Sequence, residues 1–554
     1  MRHIEVYCEN TGAYKRYLLG TTLKEICDDQ KIKLAYPILG VYVNNLVQDL
    51  NYPIYKPINV RFFDYTDAAG RRIYFRSITF VLYKAMQDLY RQTSVTLENS
   101  VPHGYYFSFK QLPVTLDEKF IAVLKKRMQE IIRADLPFIT QKIPTKDALA
   151  LFKEGKLTEK ARLFKSLNRL YTIINRLDDS VNYLHGYLAP STKCLSIFDI
   201  DLYQGGVLLR VPNPANPTIV EKKEDHPKLA EIFKEHKEWA KLVQAKNIPD
   251  VNMHVEEDHA SMLIKIAEAL QEKKIAQIAD MIHLQSDKIR FVLIAGPSSS
   301  GKTTFSKRLA VQLGASGIHP YAISLDDYFI NREDTPLDEN GNYDFESIEA
   351  LDLQKFNEDL ATLARGEETI IPKFDFKTGC RAPEGTRMKI NPSDIVIIEG
   401  IHGLNPRLTE RIPREMKYLI FISALTQIAI DRQDYISTSD NRLIRRMVRD
   451  AKYRDYSALE TINRWPSVRI GEEKNIFPFQ ENANIMFNSA LIYELGVLKY
   501  DAVPLLNEVP ENEPAYNDAQ RLLRILSYFK PIGIREIPPT SILREFLTGS
   551  SFRY

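Results

Sequence analysis

The spacing of apolar positions divides the chain into segments of different structure. Over residues 1–65 apolar and polar residues alternate, in stretches such as IEVYCEN and INVRFF, and this alternation predicts β-strands. One helix is predicted among them, over TTLKEICDDQ after Gly20, with Thr21 or Thr22 as its N-cap. We therefore expect a small β-rich unit that holds one helix.

Helical spacing dominates residues 66–218. Segments such as SITFVLYKAMQDLYRQ alternate with short β-like pieces, HGYYFSF and LSIFDIDLY among them, which predicts an α+β domain. The proline-rich VPNPANPT ends it, because proline lacks a backbone donor and fixes φ. Residues 219–285 are charged and favour helix, which predicts a connector. His254 and His259 lie there near three acidic residues, and we interpret them as a solvated helix start rather than a metal cluster.

A glycine-rich loop follows an apolar, β-branched run and opens an amphipathic helix, in RFVLIAGPSSSGKTTFSKRLAVQL. In this context G-x-x-x-x-G-K-T predicts a P-loop, whose backbone N–H groups wrap a phosphate at a helix N-terminus. Lys302 is expected to reach the outer phosphates, and the Thr303 hydroxyl to hold Mg²⁺. A purely structural glycine-rich turn is the alternative. The residues predicted to bind the nucleotide are Gly296, Ser298, Ser299, Ser300, Gly301, Lys302, Thr303 and Thr304.

Acidic residues end two further predicted strands. PYAISLDDYF carries Asp326 and Asp327 at its end, and DIVIIEG carries Glu399. A doubly wound parallel sheet places such strand ends at one edge, beside the phosphates. There Asp326 could take the proton of an attacking hydroxyl or hold the metal, and Glu399 is expected to hold the metal. For Asp327 a helix cap is the alternative.

A basic helix is predicted over RLIRRMVRDAKYRD. Such a helix is more often a solvated or RNA-facing surface, but after a P-loop we interpret it as a lid. Arginine there would supply bidentate donors to the transferring phosphoryl group. The absence of an N-K-x-D motif after the third strand argues against a GTPase. The arginines concerned are Arg442, Arg445, Arg446, Arg449 and Arg454.

Composition narrows the class of protein. The 554 residues are 44% hydrophobic and 26% charged, which is typical of folded chains, so several domains are expected. A formal net charge of +2 creates no global attraction to nucleic acid or anionic membranes. No long apolar run or secretory signal is evident, so a cytoplasmic protein with no membrane partner is expected. The four cysteines lie far apart, which disfavours a disulfide framework or a thiolate zinc site.

The first two segments resemble parts of tRNA synthetases. G-T-T-L-x-E-I followed by V-N-N-x-V-x-D-L-N-Y-P-I resembles the TGS domain, a β-grasp module. The next segment is similar to the second additional domain of threonyl- and alanyl-tRNA synthetases, in G-Y-Y-F-S-F and L-H-G-Y-L-A-P-S-T. The metal-binding positions of that editing domain are here Arg76, Phe80, Leu184 and Leu188, so we expect no hydrolytic editing and a role in binding, regulation or assembly.

The segment 286–500 resembles the uridine kinase/phosphoribulokinase family. The motifs GPSSSGKTT, S-L-D-D-Y-F, Y-D-F-E-S, P-K-F-D-F-K-T-G-C-R, I-I-E-G-I-H and R-R-x-x-R-D occur in that family's order. The resemblance implies Asp326 as general base and metal neighbour, Asp344 on ribose hydroxyls and Phe374 stacked on a pyrimidine, with core packing as the alternative for Phe374. It also implies Arg381 at the acceptor, Glu399 at the metal, and Arg446, Arg449 and Arg454 near phosphates and acceptor.

Two positions depart from the family pattern. The family's base-reading histidine falls on Gly379, and its last lid arginine falls on Tyr456. A site without such a base contact discriminates poorly among analogues. Uridine or cytidine is therefore the first expectation for the acceptor, with another nucleoside or a sugar-like alcohol left open.

These observations predict an α/β protein. A P-loop kinase domain with a parallel sheet flanked by helices (286–500) is preceded by a TGS-like β-grasp domain (1–65), a degenerate editing-like α+β domain (66–218) and a helical connector (219–285). A helical tail (501–554) is expected to pack on the kinase. The order resembles that of long bacterial nucleoside kinases and implies transfer from ATP, with Mg²⁺, to the 5′-hydroxyl of a nucleoside. An ATP-sensing RNA-binding regulator is the competing class, and RNA contact through the N-terminal modules and oligomerisation stay open.

Overall fold

The first unit is a five-stranded mixed sheet with one helix. The computed structural model describes residues 3–102, 104–338, 341, 343–375, 377–426 and 428–553. Thr22 caps the helix through a capping box with Glu25. The strands lie in the order β2-β1-β5-β3-β4, with β1 parallel to β5, and enclose a small core. The elements are β1 (His3–Cys8), β2 (Ala13–Leu18), α1 (Leu23–Asp29), β3 (Gly40–Val43), β4 (Leu46–Gln48) and β5 (Ile58–Phe63).

The second unit combines helices with two antiparallel sheets, ordered β10-β9-β8 and β11-β12-β7-β6. Its longest helix is largely buried, because apolar residues occupy most of its faces. The elements are α2 (Ala68–Leu89), β6 (Ser94–Val101), β7 (Gly104–Lys110), α3 (Glu118–Arg133), β8 (Phe138–Pro144), α4 (Thr145–Glu154), α5 (Thr158–Leu167), β9 (Tyr171–Leu177), β10 (Ser180–Asn182), β11 (Asp199–Tyr203) and β12 (Gly206–Arg210).

Three helices join this unit to the next: α6 (Pro227–Leu242), α7 (Ile248–Glu256) and α8 (Ala260–His283). One hydrophobic core runs without interruption from α2 through α8 to the C-terminal segment. A buried ion pair between Lys160 and Asp431, 2.6 Å apart, also joins the second unit to the third. The N-terminal region is therefore packed against the rest of the chain rather than tethered to it.

The third unit is built on a five-stranded sheet in the order β14-β19-β13-β20-β21, with every pairing parallel. The predicted fold class is thus confirmed. The strands are near-continuous apolar runs because helices cover both faces. The sheet and its first helices comprise β13 (Phe291–Ala295), α9 (Lys302–Ala315), β14 (Pro320–Ser324), α10 (Leu353–Ala364), β19 (Ile395–Glu399), β20 (Lys417–Ser423) and β21 (Ile485–Asn488).

Short hairpins and four further helices complete the third unit. The hairpins are β15 (Thr369–Ile371) with β18 (Thr386–Met388), and β16 (Phe374–Asp375) with β17 (Cys380–Arg381). The helices are α11 (Thr438–Tyr453), α12 (Ala458–Asn475), α13 (Glu494–Asn507) and α14 (Tyr516–Leu526), followed by a 3₁₀ turn over Ile542–Glu545. No helix among the described residues combines the length and the apolarity needed to cross a bilayer.

Candidate active site at the glycine-rich loop

The loop between β13 and α9 has the backbone geometry that its glycines permit. Gly301 has φ +84°, a left-handed conformation that lets the chain turn directly into α9. At Gly296 an added Cβ would collide with the carbonyl oxygen of Ile422 on β20. Ser299 also has a positive φ, +58°. The loop therefore leads directly into the N-terminus of a 14-residue helix, a position whose dipole favours an anion.

Two polar side chains at the start of α9 face the strand ends. The Lys302 ammonium donates to the carbonyl oxygens of Gly296 and Pro297, at 2.8 and 3.2 Å. The Thr303 hydroxyl lies 3.1 and 3.0 Å from the two carboxylate oxygens of Glu399. The sequence-predicted lysine, hydroxyl and strand-end carboxylate are thus brought together at one sheet edge.

Sheet register explains why Asp326 joins this cluster. Ser324 of β14 pairs with Glu399 of β19, and Asp326 follows two residues later in a 3₁₀ turn that Ser324 caps. Burial raises the pKa of Asp326, while Lys302 and Arg454 act in the opposite direction. Burial likewise raises the pKa of Glu399, to about 7, although Lys302 lowers it. Burial lowers the pKa of Lys302, which these carboxylates counteract.

The donor set suits a hard divalent cation. The Thr303 hydroxyl and the Glu399 carboxylate lie within hydrogen-bond distance, and Asp326 is close enough to interact electrostatically with Glu399. Mg²⁺ prefers one or two protein oxygens and completes its shell with water and phosphate oxygens. Among the described residues no group of three or more His, Cys, Asp or Glu side chains could hold a metal alone. The residues present therefore fit Mg²⁺ brought with a phosphate rather than a closed protein cage.

Asp450, which the sequence reasoning did not single out, gathers three arginines of the basic helix. The Arg446, Arg449 and Arg454 guanidinium groups lie 3.2, 2.8 and 3.7 Å from the Asp450 carboxylate, which is almost fully buried. Arg446 also donates to the Ser298 hydroxyl of the loop, at 2.8 Å. These three cations are therefore clustered around one buried carboxylate, with Arg446 in direct contact with the loop, and the R-R-x-x-R-D spacing was the available signal.

The other two arginines of this helix are buried in ion pairs and donate to the Ser298 and Ser299 carbonyl oxygens of the loop, at 3.1 and 3.4 Å, so they hold the loop from inside the protein. Arg442 is fully buried and pairs with Glu472 of α12. Arg445 is fully buried and pairs with Glu494 of α13. Buried guanidinium groups need such partners because an unpaired buried charge is strongly destabilising. A helical wheel alone does not show which arginines find a carboxylate on another helix.

Two carboxylates from distant parts of the chain contact the loop. Glu472 accepts a hydrogen bond from the Ser298 N–H, at 2.9 Å. Although burial alone would raise the pKa of Glu472, Arg442 and Arg469 hold it below its usual range. Glu545 accepts from the N–H and the hydroxyl of Thr304, at 3.1 and 2.8 Å. A phosphate that bound to the Thr304 N–H would have to displace the Glu545 carboxylate. No local sequence pattern predicts the contact of Glu472 or that of Glu545 with the loop.

The C-terminal segment that carries Glu545 packs directly on the loop. A Cβ added to Gly301 would stand 2.5 Å from the Ile542 side chain. Farther along, the Lys307 ammonium donates to the carbonyl oxygen of Arg553, at 2.5 Å. Leu547 accepts from the Tyr453 hydroxyl at the end of α11. The segment thus touches both the phosphate loop and the basic helix.

The residues predicted to bind the acceptor separate into two groups. Asp344 accepts from the N–H of Glu346, at 3.1 Å, and so holds its own turn. Glu346 has Arg446, Lys302 and Asp326 among its charged neighbours, and burial raises its pKa to about 7. Glu346, which the sequence analysis did not name, is therefore a further, partly buried carboxylate that interacts with the site charges.

Phe374 and Arg381 lie on the β16–β17 hairpin beside the second strand end. Phe374 is buried with its ring centroid 5.6 Å from that of Phe329. Arg381 pairs with Asp352, at 3.0 Å, and donates to the carbonyl oxygen of Phe329. Asp327 accepts from the Phe374 N–H, at 3.4 Å, and lies inside the 3₁₀ turn that Ser324 caps, so within the described residues Asp327 is not the cap of this turn.

The space around Gly379 is filled by an arginine. Gly379 has φ +73°, and a Cβ there would stand 2.8 Å from the Arg332 Nε. The Arg332 N–H donates to the Gly379 carbonyl oxygen, at 2.8 Å. A cation therefore lies where the family pattern would place a histidine.

The editing-like positions of the second unit form a packed interior. Arg76 donates to the carbonyl oxygens of His185 and Tyr187, at 3.0 and 3.3 Å. A Cβ at Gly186 would collide with the Arg76 guanidinium. The remaining predicted positions, Phe80, Leu184 and Leu188, are buried apolar residues. At the positions that resemble the metal site of the synthetase domain, Arg76 thus forms hydrogen bonds to the backbone among apolar residues.

Comparisons with known proteins match different parts of the chain to different proteins. Residues 291–492 match the model of the phosphoribulokinase/uridine kinase family. The uridine kinase of Ureaplasma urealyticum serovar 10 is 30% identical over 198 residues, which cover 35% of this chain and 85% of that protein. The threonine–tRNA ligase of Azobacteroides pseudotrichonymphae is 27% identical over 165 residues, which cover 30% of this chain.

The chain spans about a quarter of the length of the threonine–tRNA ligases that it matches, 25% for the one named. The match lies in the N-terminal region. Among solved structures, a possible uridine kinase from Bacillus stearothermophilus is 17% identical with a TM-score of 0.25. That similarity covers 36% of this chain and 89% of the other.

Proposed function

Because this chain belongs to the phosphoribulokinase/uridine kinase family, we propose that it transfers the γ-phosphate of ATP to the 5′-hydroxyl of a nucleoside, with uridine or cytidine as first candidate. One observation carries the proposal. Lys302, Asp326 and Glu399 meet at the edge of a parallel sheet, at the N-terminus of the helix that follows a G-x-x-x-x-G-K-T loop. Phosphoryl transfer needs positioning and charge stabilisation more than covalent chemistry, and this arrangement supplies both.

Each group has a distinct part in the proposed transfer. The loop N–H groups and Lys302 bind the triphosphate, and Arg446, Arg449 and Arg454 neutralise charge on the moving phosphoryl group. Asp326 accepts the proton of the attacking hydroxyl, and its raised pKa brings it closer to neutral pH. Thr303 and Glu399 would hold Mg²⁺, which when bound neutralises and orients the phosphates.

The acceptor is proposed to lie between Asp326 and the β16–β17 hairpin. Glu346 supports this position because its partly buried carboxyl interacts electrostatically with Arg446 and Asp326, and we propose it as a partner for sugar hydroxyls. Phe374 and Arg381 are proposed to bound the base side, with Arg332 in place of the family histidine. Another sugar-like alcohol is the alternative acceptor, since a cation at this point suits several oxygen-rich molecules.

The test is ADP release from ATP and Mg²⁺ across a panel of nucleosides, phosphorylated sugars and tRNA. A nucleoside-dependent rate supports the proposal. Lys302→Ala should abolish it because the outer phosphates lose their charge partner, whereas the exposed Lys288→Ala serves as the matched control. Turnover that is unaffected by Lys302→Ala, or silence with every nucleoside, would contradict the proposed function.

RNA contact through the N-terminal region is a second candidate, supported by the similarity of that region to threonine–tRNA ligases. In this version the nucleotide site acts as an ATP sensor for an RNA-binding regulator. Binding of tRNA that weakens steeply with salt would support it, because phosphate contacts release counterions. ATP turnover that requires tRNA, with no response to small alcohols, would favour this candidate over the kinase.

A further inference from the structure

Helix α12 carries a glycine in its interior, close to the active site. Gly471 is buried, and it lies within the helix Ala458–Asn475 without a positive φ, so it uses none of the conformational freedom that only glycine has. Apart from proline, glycine is the least favourable residue in a helix interior, because it loses the most backbone entropy there. Conformation therefore gives no reason for a glycine at this position, and the space around it does.

The side chain of Glu346 fills the space beside Gly471. A Cβ added to Gly471 would stand 2.7 Å from both the Cβ and the Cγ of Glu346, and 3.4 Å from its Cδ. Carbon atoms that are not bonded to each other pack best about 3.5–4.0 Å apart and repel at shorter distances. The Cβ and Cγ lie at the base of the side chain, so rotation of the carboxyl end alone would not relieve the overlap. A methyl group at position 471 would therefore displace Glu346.

The helix itself is anchored to the phosphate loop. Glu472, the next residue, is 0% exposed and accepts from the Ser298 N–H, at 2.9 Å. It pairs with Arg442 through both Nη atoms, and Arg442 donates to the Ser298 carbonyl oxygen, at 3.1 Å. One ion pair thus holds both backbone polar groups of Ser298, and breaking a buried pair is strongly destabilising. A side chain at position 471 would therefore shift Glu346 rather than the helix.

Glu346 stands among the charges of the active site. Burial and the nearby Glu472 carboxylate raise the pKa of Glu346 to about 7, whereas Arg446 and Lys302 act in the opposite direction. Its side chain is partly exposed, so an acceptor molecule can reach it. A site that forms a hydrogen bond with a substrate hydroxyl discriminates against an analogue that lacks this hydroxyl, because the polar group of the protein is then left unpaired. The position of the Glu346 carboxylate thus bears on the choice of acceptor.

We propose that Gly471 is a specificity-determining position of the acceptor site, because it leaves the space that Glu346 needs to contact the sugar hydroxyls. Gly471 itself touches no reacting atom and acts through Glu346. This inference rests on the proposed function, in which Glu346 is a partner for those hydroxyls. It adds the residue of α12 that fixes where Glu346 lies relative to the phosphate loop.

The preference for the intact sugar tests the proposal. The measurement is the ratio of kcat/KM for the preferred nucleoside to kcat/KM for its 2′-deoxy and 3′-deoxy counterparts. Gly471→Ala should lower at least one of the two ratios about tenfold or more, because the displaced Glu346 loses its contact with that hydroxyl. The dissociation constant of ATP should not change, since Glu472 keeps its contact with Ser298. Gly314→Ala in α9 is the matched control, because a Cβ there meets nothing within 4 Å, and both ratios should stay the same.

A double variant shows whether the effect passes through Glu346. Glu346→Gly removes the carboxylate together with the three side-chain atoms that the new methyl group would approach. Gly471→Ala in the Glu346→Gly background should then change neither the ratios nor the melting temperature further, which is the non-additivity expected of two residues in contact. The comparison also holds where Gly471→Ala alone folds poorly, because Glu346→Gly should then restore folding.

Three outcomes would overturn the proposal. Unchanged ratios in a folded Gly471→Ala protein would show that this glycine has no part in the choice of acceptor. A further loss of preference in the Glu346→Gly background would assign the effect to another contact. Weaker ATP binding by the same factor would mean that the phosphate loop had moved instead of Glu346. If the unaltered chain phosphorylates no nucleoside, the proposed function fails before any variant is compared, and this inference falls with it.

Discussion

Glu545 should weaken ATP binding in the intact chain. Its carboxylate holds the N–H and hydroxyl of Thr304, at 3.1 and 2.8 Å, at the helix N-terminus where a phosphate would bind. Glu545→Gln keeps the size of the side chain and removes its charge. The amide oxygen can still accept a hydrogen bond, so we take the low end of the range for charged hydrogen bonds, about 1.5 kcal/mol in all. That free energy corresponds to roughly tenfold tighter ATP binding.

The measurement is the dissociation constant of ATP, by calorimetry with and without Mg²⁺. Glu536→Gln is the matched control, since Glu536 lies in the same segment but pairs with Lys265, at 3.3 Å, away from the loop. An unchanged constant for Glu545→Gln would refute the reasoning that this carboxylate competes with phosphate. Weaker binding would show that Glu545 supports the loop rather than blocking it.

Three further predictions concern chemistry, metal binding and packing. Asp326→Asn should lower kcat about a hundredfold with little change in ATP affinity, as for loss of a general base; a collapse of affinity would make Asp326 chiefly structural. Because the pKa of Glu399 is about 7, Mg²⁺ must displace a proton from this carboxyl below pH 7. The Mg²⁺ affinity from thermal-shift titrations should therefore rise toward pH 7 and then level off. Glu399→Gln should remove this dependence of the Mg²⁺ affinity on pH. Gly186→Ala should lower the free energy of unfolding by about 2 kcal/mol or more, because φ is +117° and the added methyl would meet Arg76. Gly205→Ala is the control, since its methyl would face open space, and denaturant unfolding should show a smaller loss of stability.

The raised pKa of Glu399 makes the free energy of unfolding change with pH in the direction opposite to the Mg²⁺ affinity. Between about pH 4.5 and pH 7 the folded protein holds a proton that the unfolded chain has released. The unfolding free energy therefore falls as the pH rises through this interval, while the capacity to bind Mg²⁺ grows. A site that gained both stability and metal affinity over this interval would contradict a buried, protonated Glu399.

Local sequence patterns were sufficient for the elements that carry the proposed chemistry. The run FVLIA followed by GPSSSGKTT predicted a strand, a loop and a helix because periodicity and glycine placement are properties of neighbouring residues. The acids at the ends of β14 and β19 were predicted to converge because parallel strands share one carboxyl edge. The same kind of reasoning predicted the parallel sheet and limited the N-cap of the first helix to Thr21 or Thr22, of which the structure selects Thr22.

Only the tertiary structure decided which charges meet. Arg442 and Arg446 lie on the same helix and both contact Ser298 of the loop, yet Arg442 pairs with Glu472 inside the protein, whereas Arg446 pairs with Asp450. Glu545 reaches Thr304 across more than two hundred positions of the chain. Such contacts depend on how helices and loops pack. The sequence around an acidic residue or an arginine does not show whether its side chain is paired, buried or open to a ligand. The amino-acid sequence by itself therefore determined the elements and the phosphate loop, and long-range packing decided the partners of its charged side chains.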